Sequence, residues 1–101
     1  MRIEFDPVKS AKNERERNLP FAAAIRLFDN PRLEREDRRR DYGEVRINTL
    51  GEIDGEVHFA TFTWRGEAIR TISFRKANAR ETRRYRQYVG ERGEGSKGRL
   101  G

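Results

Sequence analysis

The feature that most constrains the fold is a change of apolar period near residue 43. Before it, apolar side chains follow a helical spacing; beyond it, polar and apolar residues alternate over segments 43–49, 56–64 and 68–75. Alternation with period two is typical of β-strands, whose successive side chains point to opposite faces of a sheet. Asp54-Gly55 lies between the first two of these segments and favours a tight hairpin turn. The second half of the chain is therefore predicted to form a three-stranded antiparallel meander.

The first half carries helix signals after a short opening strand over residues 2–5. Asp6-Pro7 ends this strand and starts a helix over residues 8–17, since Asp is favoured at the N-cap and Pro at the first helical position. A second helix, expected in the core, is predicted from apolar residues at i, i+3, i+4 and i+7, namely Phe21, Ala24, Ile25 and Phe28. Residues 32–41 are mostly charged and are expected to form a solvated loop or a frayed helical turn.

The last predicted helix covers residues 78–89 and has an unusually polar inner stripe. That stripe consists of Glu81, Arg84, Tyr85 and Tyr88. Residues 91–101 are basic and rich in Gly, so a flexible tail is expected there. Together these elements predict one α+β domain over residues 1–90, with a sheet of four strands and the helices packed against it.

Charge is the main positive evidence for function. Lys and Arg number 23 against 17 Asp and Glu, which gives a net charge of +6, and 19 of the 23 are Arg. Because the planar guanidinium suits phosphate, this excess favours a nucleic-acid partner. An acidic protein partner fits the same charge, and charge alone does not decide between the two.

Several classes of protein are excluded by what the sequence lacks. The chain has no Cys and one His, so disulfides, thiolate metal sites and cysteine nucleophiles are excluded, and neither a metal nor a cofactor is expected. No nucleotide-binding or serine-hydrolase motif occurs. No apolar run approaches the ~20 residues of a membrane span, and the charged N-terminus lacks the pattern of a signal peptide. We therefore expect a soluble cytoplasmic protein without a membrane partner.

A set of short motifs resembles one known family. In order along residues 1–88 the motifs are Asp6-Pro7-x-Lys9 with Asn13, Phe21 and Phe28-Asp29, Tyr42-Gly43-Glu44-x-Arg46, and Arg70-x-Ile72-Ser73-Phe74-Arg75-Lys76-Ala77 with Glu81 and Tyr85. Each motif alone is short enough to occur by chance. In their order and spacing, however, they resemble the BrnT toxins of BrnT/BrnA toxin–antitoxin modules.

The resemblance implies a RelE-like fold and a metal-independent endoribonuclease that cuts RNA and inhibits translation. It also implies a small DNA-binding antitoxin, BrnA, which masks the toxin and is its only link to operator DNA. One departure stands out, because BrnT members commonly carry a Lys-His-Gly string where this chain has Glu16-Arg17-Asn18. Arg17 replaces the charge of that His but not its proton exchange near neutral pH, which puts cleavage in question. Asn18 can still end the helix in a left-handed conformation.

Cleavage of RNA without a metal needs attack by the neighbouring 2′-hydroxyl, stabilisation of the phosphorane oxyanion and protonation of the leaving 5′-oxygen. Positively charged side chains held in place can stabilise this oxyanion. Arg75 is the first candidate, since with Lys76 it lies at the end of its strand beside the N-terminus of the last helix. Arg70 is expected on the opposite face, buried, with Glu81 or Glu44 as its carboxylate partner. An internal ion pair between Arg70 and Glu81 is the structural alternative to catalysis.

Four further side chains are catalytic or binding candidates, each with a structural alternative. Tyr85 would donate to the leaving group or stack a base, or else it is a core tyrosine. His58 is the one side chain expected to exchange protons near neutral pH, although a strand His between apolar neighbours is more often packed in the core. Arg46 would contact RNA or be a solvated surface residue, and Trp64 would stack a base or pack at a sheet edge.

Basic residues around the last helix form the predicted RNA-binding surface, or else a solvated helix face. The RNA-binding candidates are Lys76, Arg80, Arg83, Arg84 and Trp64. The leading interpretation is a ribonuclease toxin. Two alternatives stay open: a catalytically degenerate RNA- or antitoxin-binding module of the same fold, and an Arg-rich domain that docks an acidic protein. The antitoxin is expected on the exposed stripe of the second or the last helix.

Overall fold

The computed structural model describes residues 1–92 and 97–99, which form an α+β fold around one mixed sheet. The elements are β1 (Arg2–Phe5), α1 (Pro7–Arg17), a 3₁₀ helix (Phe21–Asp29), β2 (Arg32–Glu36), β3 (Ile47–Ile53), β4 (Glu56–Arg65), β5 (Ala68–Lys76), α2 (Ala79–Arg92) and β6 (Lys97–Arg99). The strand order in the sheet is β1-β5-β4-β3-β2-β6. The prediction of four strands is therefore wrong, because β2 and β6 were not expected.

The predicted meander is confirmed. β3, β4 and β5 are antiparallel neighbours in the middle of the sheet. The turn between β3 and β4 holds Asp54 at φ 51° and Gly55 at φ 82°, both left-handed, which is the geometry that closes a two-residue hairpin. β3 begins at Ile47, later than the alternation suggested, and leaves Val45 outside the strand and exposed.

β2 occupies a segment that the sequence assigned to a loop or a frayed helix, and that prediction is wrong. The strand pairs antiparallel with β3, from Arg32 opposite Gly51 to Glu36 opposite Ile47. Leu33 is its buried side chain, and the rest of the strand is charged. The strand forms because pairing with β3 satisfies its backbone groups, which a local sequence pattern does not reveal.

The first and last strands, β1 and β6, form the two edges of the sheet. β1 runs parallel to the first half of β5, and β6 runs parallel to β2. α2 continues to Arg92, so part of the expected flexible tail is helical or strand-forming. The remainder of that predicted tail, residues 93–96, 100 and 101, lies outside the described residues.

α1 begins and ends as predicted. The Asp6 carboxylate accepts a hydrogen bond from the backbone N–H of Val8 at 2.9 Å, and Pro7 occupies the first turn. Asn18 ends the helix in a left-handed conformation at φ 58°, with its N–H donating to the Glu14 carbonyl at 2.9 Å. Both ends of the helix are thus capped by residues that the sequence had marked.

The second predicted helix is a 3₁₀ helix. With three residues per turn, positions i, i+3 and i+6 share one side, and the buried residues are accordingly Phe21, Ala24 and Leu27. The predicted core positions Ile25 and Phe28 are only partly buried. The stripe expected from an α-helical period is therefore wrong in its second half, because the tighter winding turns different side chains toward the sheet.

The sheet is covered on both faces. The 3₁₀ helix covers one face, here called the 3₁₀ face, with a core of Phe21, Ala24, Leu27, Ile53, Ala60 and Phe74. α2 covers the other, the α2 face, with a core of Leu33, Leu50, Val57, Tyr85 and Tyr88. The two tyrosines predicted on the inner stripe of the last helix are thus confirmed as inward-facing. Within the described part of the chain, no helix is long and apolar enough to span a bilayer.

Candidate active site

A β-bulge in β5 decides which cations share a face of the sheet. Thr61 of β4 pairs with Ser73 of β5, but the next residue, Phe62, pairs with Thr71, so Ile72 is an extra residue without a partner on β4. An extra residue reverses the side-chain alternation beyond it. The bulge therefore changes the orientation of every side chain between it and the start of β5.

The bulge places Arg70 and Arg75 on the same face. Arg75 is directly opposite Phe59, and Arg70 is directly opposite Thr63. Phe59 packs with the α2 cluster, and Thr63 is four residues further along the same unbulged strand, so both Arg side chains project from the α2 face. The expectation that they point to opposite faces is wrong, because it assumed an unbroken period of two.

Arg75 is held in place by an ion pair and an aromatic ring. Its Nη1 and Nη2 atoms donate to Oε1 and Oε2 of Glu81 at 2.8 and 3.0 Å, and its guanidinium lies 4.2 Å from the centre of the Phe59 ring. The Arg75 side chain is 34% exposed and that of Glu81 is 23% exposed. A bidentate pair of this kind fixes the plane of the guanidinium, and Nη1 also donates to the Lys76 carbonyl oxygen at 3.2 Å.

Glu81 also caps α2. Asn78 and Glu81 form a reciprocal capping box: the Asn78 N–H donates to Glu81 Oε1 at 2.9 Å, and the Glu81 N–H donates to Asn78 Oδ1 at 2.8 Å. The hydrogen bonds from Arg75 hold the pKa of the Glu81 carboxyl below its usual range, although partial burial opposes the shift. Glu81 is therefore ionised at neutral pH and joins the start of α2 to the end of β5.

The Arg70 partners expected from the sequence are engaged elsewhere. Glu81 pairs with Arg75, and Glu44 pairs with Arg46 at 3.1 Å and with Arg65 at 3.6 Å. Among the described residues, Arg70 makes no ion pair, and its side chain is partly exposed. The prediction of a buried Arg70 with a carboxylate partner is wrong, because the bulge turns Arg70 away from the 3₁₀ face.

A cleft of about 380 Å³ opens on the α2 face at the start of α2. We call it the arginine cleft. Its lining residues are Arg35, Leu50, Phe59, Asn78, Arg80, Glu81 and Arg84. Phe59 and Glu81 are the two residues that hold Arg75, so the Arg75 guanidinium lies behind one wall of the cleft.

The charge of the arginine cleft is strongly positive. Arg35, Arg80 and Arg84 are exposed, and none of them makes an ion pair within residues 1–92. The single carboxylate lining the cleft, that of Glu81, is neutralised by Arg75. Three unpaired guanidiniums around one concave surface favour a polyanionic ligand.

Sequence reasoning missed Arg35. It lies in β2, which was expected to be a loop, and it reaches the cleft because β2 pairs with β3 on the α2 side. No local signal marks this residue, since its position depends on strand pairing over a distance in sequence.

His58 lies away from the arginine cleft. It pairs with Lys76 on the 3₁₀ face, is 4% exposed, and has its ring 5.6 Å from that of Phe74. Its Nδ1 atom is 2.9 Å from the Glu56 carbonyl oxygen. The structure therefore places His58 in the core behind the sheet, as its structural alternative supposed.

Tyr85 is buried beneath α2. Its side chain is 1% exposed, and its hydroxyl donates to the Pro31 carbonyl oxygen at 2.8 Å. Burial raises the pKa of the Tyr85 hydroxyl, so it stays protonated at neutral pH. This hydroxyl ties α2 to the segment before β2 and is not part of the cleft lining.

The remaining candidates lie around the site rather than in it. Arg46 stacks 4.2 Å from the Tyr42 ring and donates to Glu44 in the segment before β3. Trp64, half exposed, makes edge contacts with Phe28 and Phe62 at the end of β4. Lys76 pairs with Glu56 at 3.1 Å on the 3₁₀ face, and Arg83 is exposed on α2. Of the predicted set, the structure brings together Arg75, Glu81, Arg80 and Arg84.

The sequence profile of the BrnT ribonuclease toxins of type II toxin–antitoxin systems matches residues 5–81. The chain belongs to the BrnT toxin family. The search of curated proteins found no significant match.

Membership of the BrnT family implies a ribonuclease toxin that acts on RNA and has an antitoxin partner. The matched region includes the start of α2 with Arg80 and Glu81, as well as Arg35 and Arg75, whereas Arg84 lies beyond it. The described residues contain no group of three or more His, Cys, Asp or Glu side chains placed to hold a metal ion. The charged side chains that line the arginine cleft are those of Arg35, Arg80, Arg84 and Glu81.

Proposed function

We propose that the arginine cleft binds the backbone of RNA and that this BrnT-family protein cleaves RNA as a metal-independent endoribonuclease. The observation that supports this most is the position of Arg75, fixed by Glu81 and Phe59 beside three unpaired guanidiniums. A guanidinium held before the reaction can stabilise an oxyanion without reorganising. The cleft also lies at the N-terminus of α2, which adds a favourable potential for phosphate.

In this proposal the 2′-hydroxyl next to the scissile phosphate gives its proton to water and attacks phosphorus, and Arg75 stabilises the pentacoordinate oxyanion. The P–O5′ bond then breaks, and the leaving 5′-oxygen takes a proton from water. Arg35, Arg80 and Arg84 hold the flanking phosphates. Glu81 is a positioning residue, because both of its carboxylate oxygens accept hydrogen bonds from Arg75. The products would be a 2′,3′-cyclic phosphate and a free 5′-hydroxyl, and the loss of intact RNA would inhibit translation.

We propose a BrnA-like DNA-binding antitoxin as the protein partner. Through this antitoxin alone the protein would be linked to operator DNA, and its proposed location is the cytoplasm. These proposals, like the RelE-like description of the fold, rest on the family. An antitoxin that masks the toxin would cover the arginine cleft together with Arg75 beside it, since the proposed chemistry takes place at Arg75.

One observation favours a second candidate, a binding module that has lost cleavage. The histidine common in the family is replaced by Arg17, and His58 is buried on the other face of the sheet. No residue lining the arginine cleft is a histidine. A protein of this kind would bind RNA or the antitoxin through the same cations without forming products.

The test compares the wild-type chain with variants, in EDTA, on total RNA alone and on translating ribosomes. Arg75→Lys keeps the charge but loses the bidentate geometry, and we expect it to lower the cleavage rate by about 10²–10³ with RNA binding preserved. Arg80→Gln combined with Arg84→Gln should weaken binding and reduce the salt dependence of affinity by a slope of about 1.4, roughly 0.7 for each lost phosphate contact.

Arg15→Gln is the matched control, because Arg15 is exposed on α1 and does not line the arginine cleft. Cleavage that is unchanged in Arg75→Lys would refute the role of Arg75. Salt-sensitive binding without cleavage in either arm would favour the degenerate binding module. If the chain neither cleaves nor binds RNA, the interpretation that remains is an Arg-rich domain that docks an acidic protein.

A further inference from the structure

A second cleft lies on the other side of Arg75, between α1 and the edge of β5. We call it the α1 cleft; its volume is about 360 Å³. It exists because β1 pairs only with Ala68–Thr71, so that on the β1 side the second half of β5 has no neighbouring strand within the described sheet. α1 fills part of this gap, and its Asn13 side chain donates to the Phe74 carbonyl oxygen at 2.9 Å and to the Leu19 carbonyl oxygen at 2.7 Å.

One stripe of α1 lines this cleft and is mostly cationic. The stripe residues, spaced i, i+3, i+4, i+7 and i+8, are Lys9, Lys12, Asn13, Glu16 and Arg17. Such spacing places all five on one side of the helix. Three of them are cations and one is an anion, and none of the four makes an ion pair within residues 1–92. The stripe therefore presents a net charge of +2, from three cations and one anion, to a concave surface.

Arg75 connects the two clefts. It is itself part of the lining of the α1 cleft, while its two contacts, Phe59 and Glu81, line the arginine cleft. Ser73, one residue after the bulge, also lines the α1 cleft. The cationic surface therefore continues from α1 across Arg75 to the start of α2.

We propose that the α1 cleft is a second phosphate-binding subsite, in which Lys9, Lys12 and Arg17 hold the part of an RNA strand that extends past Arg75 from the arginine cleft. This proposal rests on the proposed function, because it takes RNA as the ligand. The bound strand crosses Arg75, so the scissile phosphate has cations on both its 5′ and 3′ sides. Exposed lysines suit this role because they act as point charges on successive phosphates without reading sequence.

The consequence is a dependence on RNA length. A trinucleotide can fill the arginine cleft alone, whereas a dodecamer reaches both clefts. Loss of the α1 cations should therefore weaken binding of the long RNA and leave binding of the short one unchanged.

The test measures affinity for these two oligonucleotides from low to moderate salt, with every ribose 2′-O-methylated so that no cleavage can occur. The variant is Lys9→Gln with Lys12→Gln. Its control is Arg2→Gln with Arg15→Gln, which removes the same charge from exposed positions that line neither cleft. For the dodecamer, we expect the lysine variant to lower the salt slope by about 1.4, or about 0.7 for each lost contact, and the control to leave it unchanged. Lys9→Arg with Lys12→Arg should restore the wild-type slope.

Equal slopes in the lysine variant and the control would refute the subsite. If binding falls in Arg80→Gln with Arg84→Gln but not in the lysine variant, the α1 proposal fails and the proposed function stands. If the wild-type chain binds neither oligonucleotide, both fail. A lysine variant that keeps its RNA slope but loses affinity for a polyglutamate peptide would instead make the α1 cleft a docking site for an acidic protein, which also overturns the proposal.

Discussion

Replacing Tyr85 by Phe separates a structural from a catalytic role for this tyrosine. Phe keeps the ring that packs in the α2 cluster and removes the hydroxyl that donates to the Pro31 carbonyl at 2.8 Å. The substitution leaves the Pro31 carbonyl oxygen, in a partly buried position, without this donor. The expected loss in the free energy of unfolding is about 0.5–1.5 kcal/mol, the range for one intramolecular hydrogen bond.

The loss can be read as a shift in melting temperature. Unfolding entropy of about 2.1 cal/mol/K per residue gives roughly 0.2 kcal/mol/K for a domain of this length, so the Tm should fall by about 2–7 °C. Thermal unfolding followed by circular dichroism measures this shift. Cleavage of RNA, assayed well below the Tm, should stay within about twofold of wild type.

Tyr88→Phe is the matched control. Tyr88 belongs to the same helix and the same cluster, but its hydroxyl has no hydrogen-bond partner among the described residues. Removing it should change the free energy of unfolding by less than about 0.5 kcal/mol. The reasoning is refuted if both variants lose the same stability, or if Tyr85→Phe abolishes cleavage while its Tm is unchanged.

Three further predictions concern stability and are measured by urea unfolding. Glu81→Gln removes the charge that pairs with Arg75 and should lower the free energy of unfolding by about 1–2 kcal/mol at neutral pH. Because the pKa of Glu81 is lowered in the folded protein, this difference is complete above the ordinary carboxyl pKa near 4.5 and is lost as the pH falls through the lowered pKa. A pH-independent difference would contradict the ion-pair account. Gly51→Ala would place a Cβ 3.0 Å from Leu27 Cδ2 and should destabilise by about 1–3 kcal/mol through overpacking. Gly90→Ala, in α2 with no atom within 4 Å of the added Cβ, should stabilise by up to about 1 kcal/mol, and a loss of stability would show that the helix does not tolerate the methyl group.

The candidate site could be predicted in part from the sequence. Arg75 and Glu81 could be identified because one lies at the end of a strand and the other in the first turn of the next helix. The end of that strand and the start of that helix are adjacent both in the chain and in space. Arg80 and Arg84 follow on the same helix, so local periodicity was enough to group them. Arg35 was missed, since it reaches the cleft only through pairing of β2 with β3.

Errors in orientation have a common physical origin. An unbroken period of two put Arg70 and Arg75 on opposite faces, and the extra residue Ile72 in β5 reverses that assignment. A period of 3.6 put Phe28 in the core, and the 3₁₀ winding buries Leu27 instead. In both cases a shift of one residue in the pattern decides which side chains face the core. That shift depends on tertiary contacts, which a local period does not reveal.

By itself, the sequence determined the features that depend on residues close together in the chain: the hairpin at Asp54-Gly55, the ends of α1 at Asp6 and Asn18, and the capped start of α2. These follow from backbone conformations and short-range hydrogen bonds that a few residues specify. The tertiary structure alone decided that a charged segment becomes β2, that β5 bulges, and that Arg75 lies between two cationic clefts. Strand pairing is non-local, because its hydrogen bonds join backbone groups far apart in sequence, and this is why only the folded chain assembles the site.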